Sequence, residues 1–286
     1  MKYLFLLASL LSSFASASLR QYSADVEESY WRNMTPSRIQ CTLAHNLPGY
    51  GAAIFTSYAS KTLNMEFELD MLRLPKHYGI ANVYSVPPKW MPGELQYSIA
   101  DMTIRKQFNG DLPEQAAWTM LSELEKGYWP TLYYRDWYNP RDGIAVALNS
   151  ANFREPYEDF VNCVSNLLPF SFDDIAYTVL SYEKNSAKLT KGSRKKLEMI
   201  GAYLSEDPSM ELVLLDGYSD SHGGRWKNME LSIQRANEVK SYFSDMGVEA
   251  GRIDVTGHGE RRHAAPNNTP ESRAKNRRVV IRMQRP

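Results

Sequence analysis

Two textures divide the chain. Between Ser18 and about Phe170, apolar and polar positions tend to alternate, as in GAAIFTSYAS and LNMEFELDMLRL, and these runs are rich in aromatic and β-branched residues. Side chains of an extended strand point to opposite faces in turn, so the pattern predicts strands with one buried face. Glycine and proline clusters (LPGYG, SVPPKWMPGE, YNPRDG) separate the runs as turns. One stretch breaks the alternation. PEQAAWTMLSELEKG sets Ala117, Leu121 and Leu124 on a common helical face, with Pro113 near its start and Lys126-Gly127 at its end. A second short helix is predicted at EPYEDFVNCVSNLL, so this half is expected to be mostly antiparallel β with one or two helices.

From about Ser171 the rhythm changes. The strand-like run IAYTVL precedes a helix from Thr190, where Leu197, Ile200 and Leu204 recur at helical spacing. A compact apolar strand, Leu212 to Leu215, leads through a glycine-bearing loop into a helix starting near Lys227-Asn228. That helix is expected to turn Leu231, Val239, Phe243 and Met246 inward. RIDVTG and RRVVIRM read as two further short strands. This βαβαββ order predicts an α/β sandwich of helices on a mixed sheet. The expected division is residues 18–170 for the β-rich domain and 171–286 for the second, with no internal repeat.

Residues 1–17 read as an export signal: Lys2, the apolar run Leu4 to Phe14, then Ala15-Ser16-Ala17 as a cleavage site before Ser18. The apolar run falls short of the roughly 20 residues that span a bilayer. The mature protein is therefore expected in an oxidising compartment outside the cytoplasm, and the two cysteines, Cys41 and Cys163, are expected to form one disulfide. The chain-entropy argument gives about 4–5 kcal/mol for so long a closed loop. Charge balances at 33 basic against 33 acidic residues in 286, which indicates no overall electrostatic partner. The balance hides an asymmetry: residues 252–286 carry nine Lys or Arg against three acids, which suggests an anionic contact or a solvated domain edge.

The candidate chemistry lies in SDSHGGRWKNMELSIQRA, residues 219–236. Asp220 follows the apolar strand, and Asn228 and Arg235 stand seven residues apart, two helical turns, so they point the same way. Asp220 can then face the guanidinium of Arg235, either as an internal salt bridge or as a clamp for a ligand carrying both an ammonium and a carboxylate.

The pattern GYSD, seven residues, N-x-x-L-S-x-x-R-A, then GVEAGRIDVTGHGERR and NNTPESRAKNRRVVI resembles the OmpA-like peptidoglycan-binding domain, from about 171 to 286. The resemblance implies that Asp220 and Arg235 hold the diaminopimelate end of the wall's stem peptide, with Asn228 in support. Ser219 stands where the family usually has threonine. Arg277 and Arg278 match the family's terminal arginines, and one or both are expected to pack the site's edge. Val280 replaces a residue that is often polar there. The export signal, the aromatic β-rich half with a cysteine near each end, MLSELEKGYWPTLYYRDW and SNLLPFSFDDIAYTVL extend the resemblance to a family of periplasmic proteins of the sodium-driven polar flagellar motor. That resemblance implies a T ring in the periplasm, docked through the N-terminal half on the basal body and on MotX and recruiting stator units, while the C-terminal half holds peptidoglycan.

Several enzyme-like signals are weaker. Ser193-Arg194-Lys195-Lys196 and Ser181-Tyr182-Glu183-Lys184 fit S-x-x-K without the accompanying S-D-N and K-T-G. His222, His258 and His263 have no common zinc spacing. YWPTLYYRDWYNP could offer rings to sugars but reads better as packed strand. A structural protein without enzymatic activity, cofactor or metal is expected. The rival readings are a generic outer-membrane or wall anchor with a small N-terminal barrel, and a wall-modifying hydrolase.

Overall fold

The computed structural model describes residues 18–34, 36–183, 188–210 and 212–285; the expected export signal, 1–17, lies outside the described residues. Two compact units are formed. One gathers residues up to Asn33 with Leu43–Thr56 and Met65–Glu158, and the other gathers Met34–Thr42, Ser57–Asn64 and Asp159 onward.

The N-terminal strands are β1 (Leu19–Tyr22), β2 (Trp31–Met34), β3 (Gln40–Leu47), β4 (Gly51–Tyr58), β5 (Glu66–Met71), β6 (Gly79–Val86), β7 (Tyr97–Ile104) and β8 (Gly110–Leu112). Helix α1 (Glu114–Glu125), β9 (Trp129–Arg135), β10 (Gly143–Ala147) and helix α2 (Arg154–Ser165) follow. They make two open five-stranded sheets, β1-β10-β9-β6-β7 and β2-β3-β4-β5-β8, so the strands do not close into a barrel. Alternation decides which faces are buried: in β5, Phe67, Leu69 and Met71 are buried while Glu66, Glu68 and Asp70 are exposed. Helix α1 buries Ala117, Leu121 and Leu124 as its spacing predicts, together with Glu123, which accepts hydrogen bonds from Ser85 at 2.8 Å and Lys126 at 2.8 Å. Trp31, His45, Phe55 and Phe153 pack as one aromatic cluster.

The second unit continues with helix α3 (Phe172–Ile175), β11 (Tyr177–Ser181), α4 (Lys191–Glu206), β12 (Leu212–Tyr218), α5 (Arg225–Asp245), β13 (Ile253–Gly257), α6 (Pro270–Asn276) and β14 (Arg278–Gln284). This is the βαβαββ order with two short helices added, α3 before the first strand and α6 before the last. The sheet runs β11-β14-β12-β13, with β12 and β13 parallel and the other pairs antiparallel. Leu197, Ile200 and Leu204 of α4, and Val239 and Phe243 of α5, bury against Val213, Leu215, Val279 and Ile281 of the sheet. Leu231 and Met246, expected inward, are half-buried; the inward stripe of α5 is instead Asn228, Ser232, Arg235, Ala236, Val239 and Phe243. The core also takes in Ala59, Leu168 and Phe170, and Cys41 is bonded to Cys163 with Cα atoms 6.0 Å apart. Thr190 caps α4 by accepting from the Ser193 backbone, and the Ser193 hydroxyl accepts from the Ser181 backbone, so that serine serves a helix start.

Candidate functional site

The site begins with two glycines that let α5 lie directly on the sheet. A Cβ on Gly217 of β12 would stand 1.9 Å from the Ser232 carbonyl oxygen, and one on Gly257 of β13 would stand 2.3 Å from the Ile233 side chain. Backbone contact at Ser232 places the next inward residue, Arg235, beneath the end of β12, where its Nη1 donates to the Tyr218 carbonyl at 3.4 Å. The chain beyond the strand is pinned from the other side. Ser219 N donates to Gly259 O at 2.8 Å, and Gly259 N donates to the Ser232 hydroxyl at 3.0 Å.

Asp220 is held at both carboxylate oxygens. Oδ1 accepts from the His222 backbone at 3.1 Å, fixing the turn, and Oδ2 accepts from Arg277 Nη1 at 2.8 Å. Arg277 directly follows α6, whose start is set by Thr269 accepting from Ser272 N and by Pro270 in the first turn. Fully buried Asn276 braces that end. It accepts from Ala264 N and Ala265 N and donates to Ala265 O and to Asn267, which in turn accepts from Ser221 N beside Asp220. The loop carrying the acid and the helix carrying Arg277 are thus one hydrogen-bonded frame.

This geometry corrects the simple pairing read from the spacing. The carboxylate of Asp220 pairs with Arg277 rather than with Arg235. Arg235, 4% exposed, rises from α5 with its guanidinium over the ring of Tyr182 at 4.6 Å. Burial pushes the Arg235 guanidinium below its ordinary value; nearby Arg277 adds to that, while Asp220 and Tyr182 oppose it. Three buried polar atoms here have no partner: Arg235 Nε, Arg277 Nε and Ser219 Oγ. Buried donors are rarely left unpaired, because each costs free energy comparable to a lost hydrogen bond. Two unpaired guanidinium nitrogens and a hydroxyl beside an acid form a site suited to an anionic group, with the carboxylate near for a cation.

The structure therefore brings together Ser219, Asp220 and Arg235 and adds Arg277 as the acid's partner. Asn228 is buried on the same stripe of α5, but its amide donates to Glu260 at 3.0 Å. Arg278 is not at this site. It lies over the ring of Tyr218 at 3.9 Å on the face of the sheet away from the helices, because side chains alternate along β14 and Val279 is the one turned to the core. Asn276 and Tyr182 were not singled out by the sequence; the motif NNTPESRAKNRR contained the first, and only tertiary packing brings in the second. Among the described residues no group of three His, Cys, Asp or Glu could hold a metal ion. His258 instead hydrogen-bonds Asp216 at 2.7 Å.

A mixed sheet backed by two helices, with an acid after one strand and an arginine under its end, defines an OmpA-type domain, and residues 181–277 match the OmpA family. Residues 22–169 match the MotY N-terminal domain. The chain is 41% identical over 278 residues to the sodium-type flagellar protein MotY of Vibrio parahaemolyticus serotype O3:K6, covering 97% of this chain and 95% of that protein. It belongs to the MotY family of sodium-type flagellar proteins. The C-terminal part is also 35% identical over 102 residues to the peptidoglycan-binding protein ArfA of Mycobacterium bovis, spanning 36% of this chain and 31% of ArfA. The periplasmic domain of Helicobacter pylori MotB aligns with 37% of the chain and 68% of its own length, at 24% identity and a TM-score of 0.32.

Proposed function

We propose that this protein is a periplasmic, non-enzymatic part of the motor's T ring, docking through its N-terminal domain on the basal body and on MotX. Its C-terminal domain holds peptidoglycan and so anchors the stator units that the ring recruits. The observation that carries the wall-binding half is the trio of unpaired buried atoms, Arg235 Nε, Arg277 Nε and Ser219 Oγ, beside Asp220. The free end of a diaminopimelate side chain carries a carboxylate and an ammonium. The carboxylate would accept from the two guanidinium groups and the serine, and the ammonium would sit against Asp220. No bond of the ligand is broken in this arrangement.

Each hydrogen bond to a charged group is worth about 1.5–3 kcal/mol, before the cost of immobilising the peptide. One domain therefore binds modestly, and many copies in a ring meeting a polymer bind firmly through effective concentration. No described helix is long and apolar enough to cross a membrane, which accords with attachment through protein and wall contacts. The test is co-sedimentation with purified sacculi. Asp220→Ala and Arg235→Ala each reduce pelleting of an otherwise folded protein, and undiminished pelleting of both variants would refute the assignment. In a strain lacking the protein, loss of swimming with filaments retained and loss of a peripheral ring from basal bodies test the motor half.

A further inference from the structure

The basic excess of residues 252–286 has a location that the wall site does not use. On the sheet face opposite the helices lies a groove bordered by Arg262, Lys275, Arg278 and Arg282, with Asp216 as its one carboxylate. Asp216 is already engaged, accepting from His258 at 2.7 Å and from Arg282 at 2.5 Å. Among the described residues, neither Arg262 nor Arg278 meets a carboxylate; Arg278 donates to the carbonyls of Arg262 and Asn276 and stacks on Tyr218. Four cations around one neutralised acid leave the groove strongly positive.

Its lining is not polar throughout. Val179 and Val280 line it, Tyr218 forms one wall, and Tyr177 stands 66% exposed at the margin. The residue that departs from the expected polar type, Val280, belongs to this lining. A phosphate or a lipid headgroup would satisfy the guanidinium groups and leave half-buried Val179 and the exposed Tyr177 ring uncovered. An extended polypeptide answers both features, because its side chains alternate between two directions along the strand. Apolar side chains can face the apolar part of the lining while carboxylates reach the basic rim.

We propose that this groove docks an extended acidic segment of a partner protein, one that alternates carboxylates with apolar or aromatic residues. Consecutive residues serve the two surfaces: Arg277 turns to the wall site and Arg278 to the groove. Both can be occupied at once, so the domain can grip a protein while it holds the wall. This inference does not depend on the ligand of the wall site.

The test uses the mature full-length protein and a fluorescein-labelled synthetic peptide alternating Glu with Val or Tyr, read by anisotropy. Saturable binding is expected, weakened about tenfold by Arg262→Glu combined with Lys275→Glu, since two attractions become repulsions. Tyr177→Ser should weaken it several-fold, an effect that bare charge attraction would not produce, and raised salt should weaken it further. Thermal melts confirm that the variants fold, and sacculus pelleting by the Arg262 and Lys275 variant stays at the wild-type level. Three results would overturn the proposal: no saturable binding, equal affinity in the variants, or displacement of the peptide by inorganic phosphate or phosphatidylglycerol vesicles. The last would assign the groove to phosphate chemistry.

Discussion

Replacing Arg235 by methionine separates what this residue does for the fold from what it does for a ligand. The side chain is 4% exposed, and its protein partners are a long hydrogen bond to Tyr218 O at 3.4 Å and the face of Tyr182 at 4.6 Å. A cation–π contact in a desolvated setting contributes about 2 kcal/mol, and a bond at that length adds little. Against this stands the cost of burying a charge with an unpaired Nε, about several kcal/mol after relaxation. Methionine of similar length keeps the packing on Tyr182 and removes the charge. The folded state should therefore change by no more than about 1 kcal/mol in either direction, a melting shift of about 4–6 °C for a domain of this size. Asp220→Asn behaves differently, because it leaves Arg277 and Arg235 together with no carboxylate. Both partners of the Asp220–Arg277 pair are 13% exposed, and breaking it should cost about 2–3 kcal/mol. Ligand affinity falls in both variants. Loss of the Arg235 contacts to a carboxylate removes about 3 kcal/mol, on the order of a hundredfold. Calorimetric melting and titration with a diaminopimelate-containing stem tripeptide measure the two quantities. If Arg235→Met lost about 3 kcal/mol of stability while binding the tripeptide like the wild type, Arg235 would be a structural residue and the reasoning would fail.

Two further predictions concern stability elsewhere. Cys41 and Cys163 are 122 residues apart, and replacing both by serine should destabilise the protein by about 4–5 kcal/mol, read as a lowered urea midpoint; an unchanged midpoint would contradict the loop-closure account. His45 is buried against Trp31, gives its Nδ1 hydrogen to Tyr30 O, and has no partner at Nε2, and burial pushes its pKa from 6.5 down to about 4. The unfolded chain thus takes a proton that the folded chain refuses, so this stability is complete above pH 6.5 and is lost as pH falls toward 4, by about 3 kcal/mol. His45→Phe should flatten that slope in acid-unfolding curves, and a slope retained in the variant would place its cause in another group.

How far the sequence could be read depended on whether the deciding contacts were local. Helices α1 and α4 follow from apolar spacing and their caps, because Ala117, Leu121, Leu124, Leu197, Ile200 and Leu204 all answer to one helical period. The strands of the N-terminal half could be recognised, but their order could not. Pairing β1 in parallel with β10 joins Leu19 to Gly143, and no short-range pattern encodes such a partner. Helix α5 misled for a different reason. Its buried stripe carries Asn228, Ser232 and Arg235, polar residues that a search for apolar periodicity passes over, so Leu231 was given an inward place it holds only in part. The signal that could have corrected this lay elsewhere, in Gly217 and Gly257, where side chains are missing because α5 presses on both strands.

The same limit explains the exchange of partners at the site. Counting turns along α5 aligns Arg235 with Asn228 on one stripe, yet it could not weigh a second arginine 57 residues beyond the acid. Arg277 takes the carboxylate because Asn276, fully buried, clamps the end of α6 to the loop that carries Ser221 and Asn267. Had Asp220 closed on Arg235, the two charges would have satisfied each other and left nothing to attract a ligand. With Asp220 engaged by Arg277, Arg235 keeps a buried Nε without a protein partner among the described residues, as Arg277 does, and such a donor costs free energy until an acceptor meets it. A pair formed between two neighbours, beside a third buried charge with no carboxylate of its own, fits the clamp proposed above as well as a structural pair, and the Arg235→Met titration separates the two.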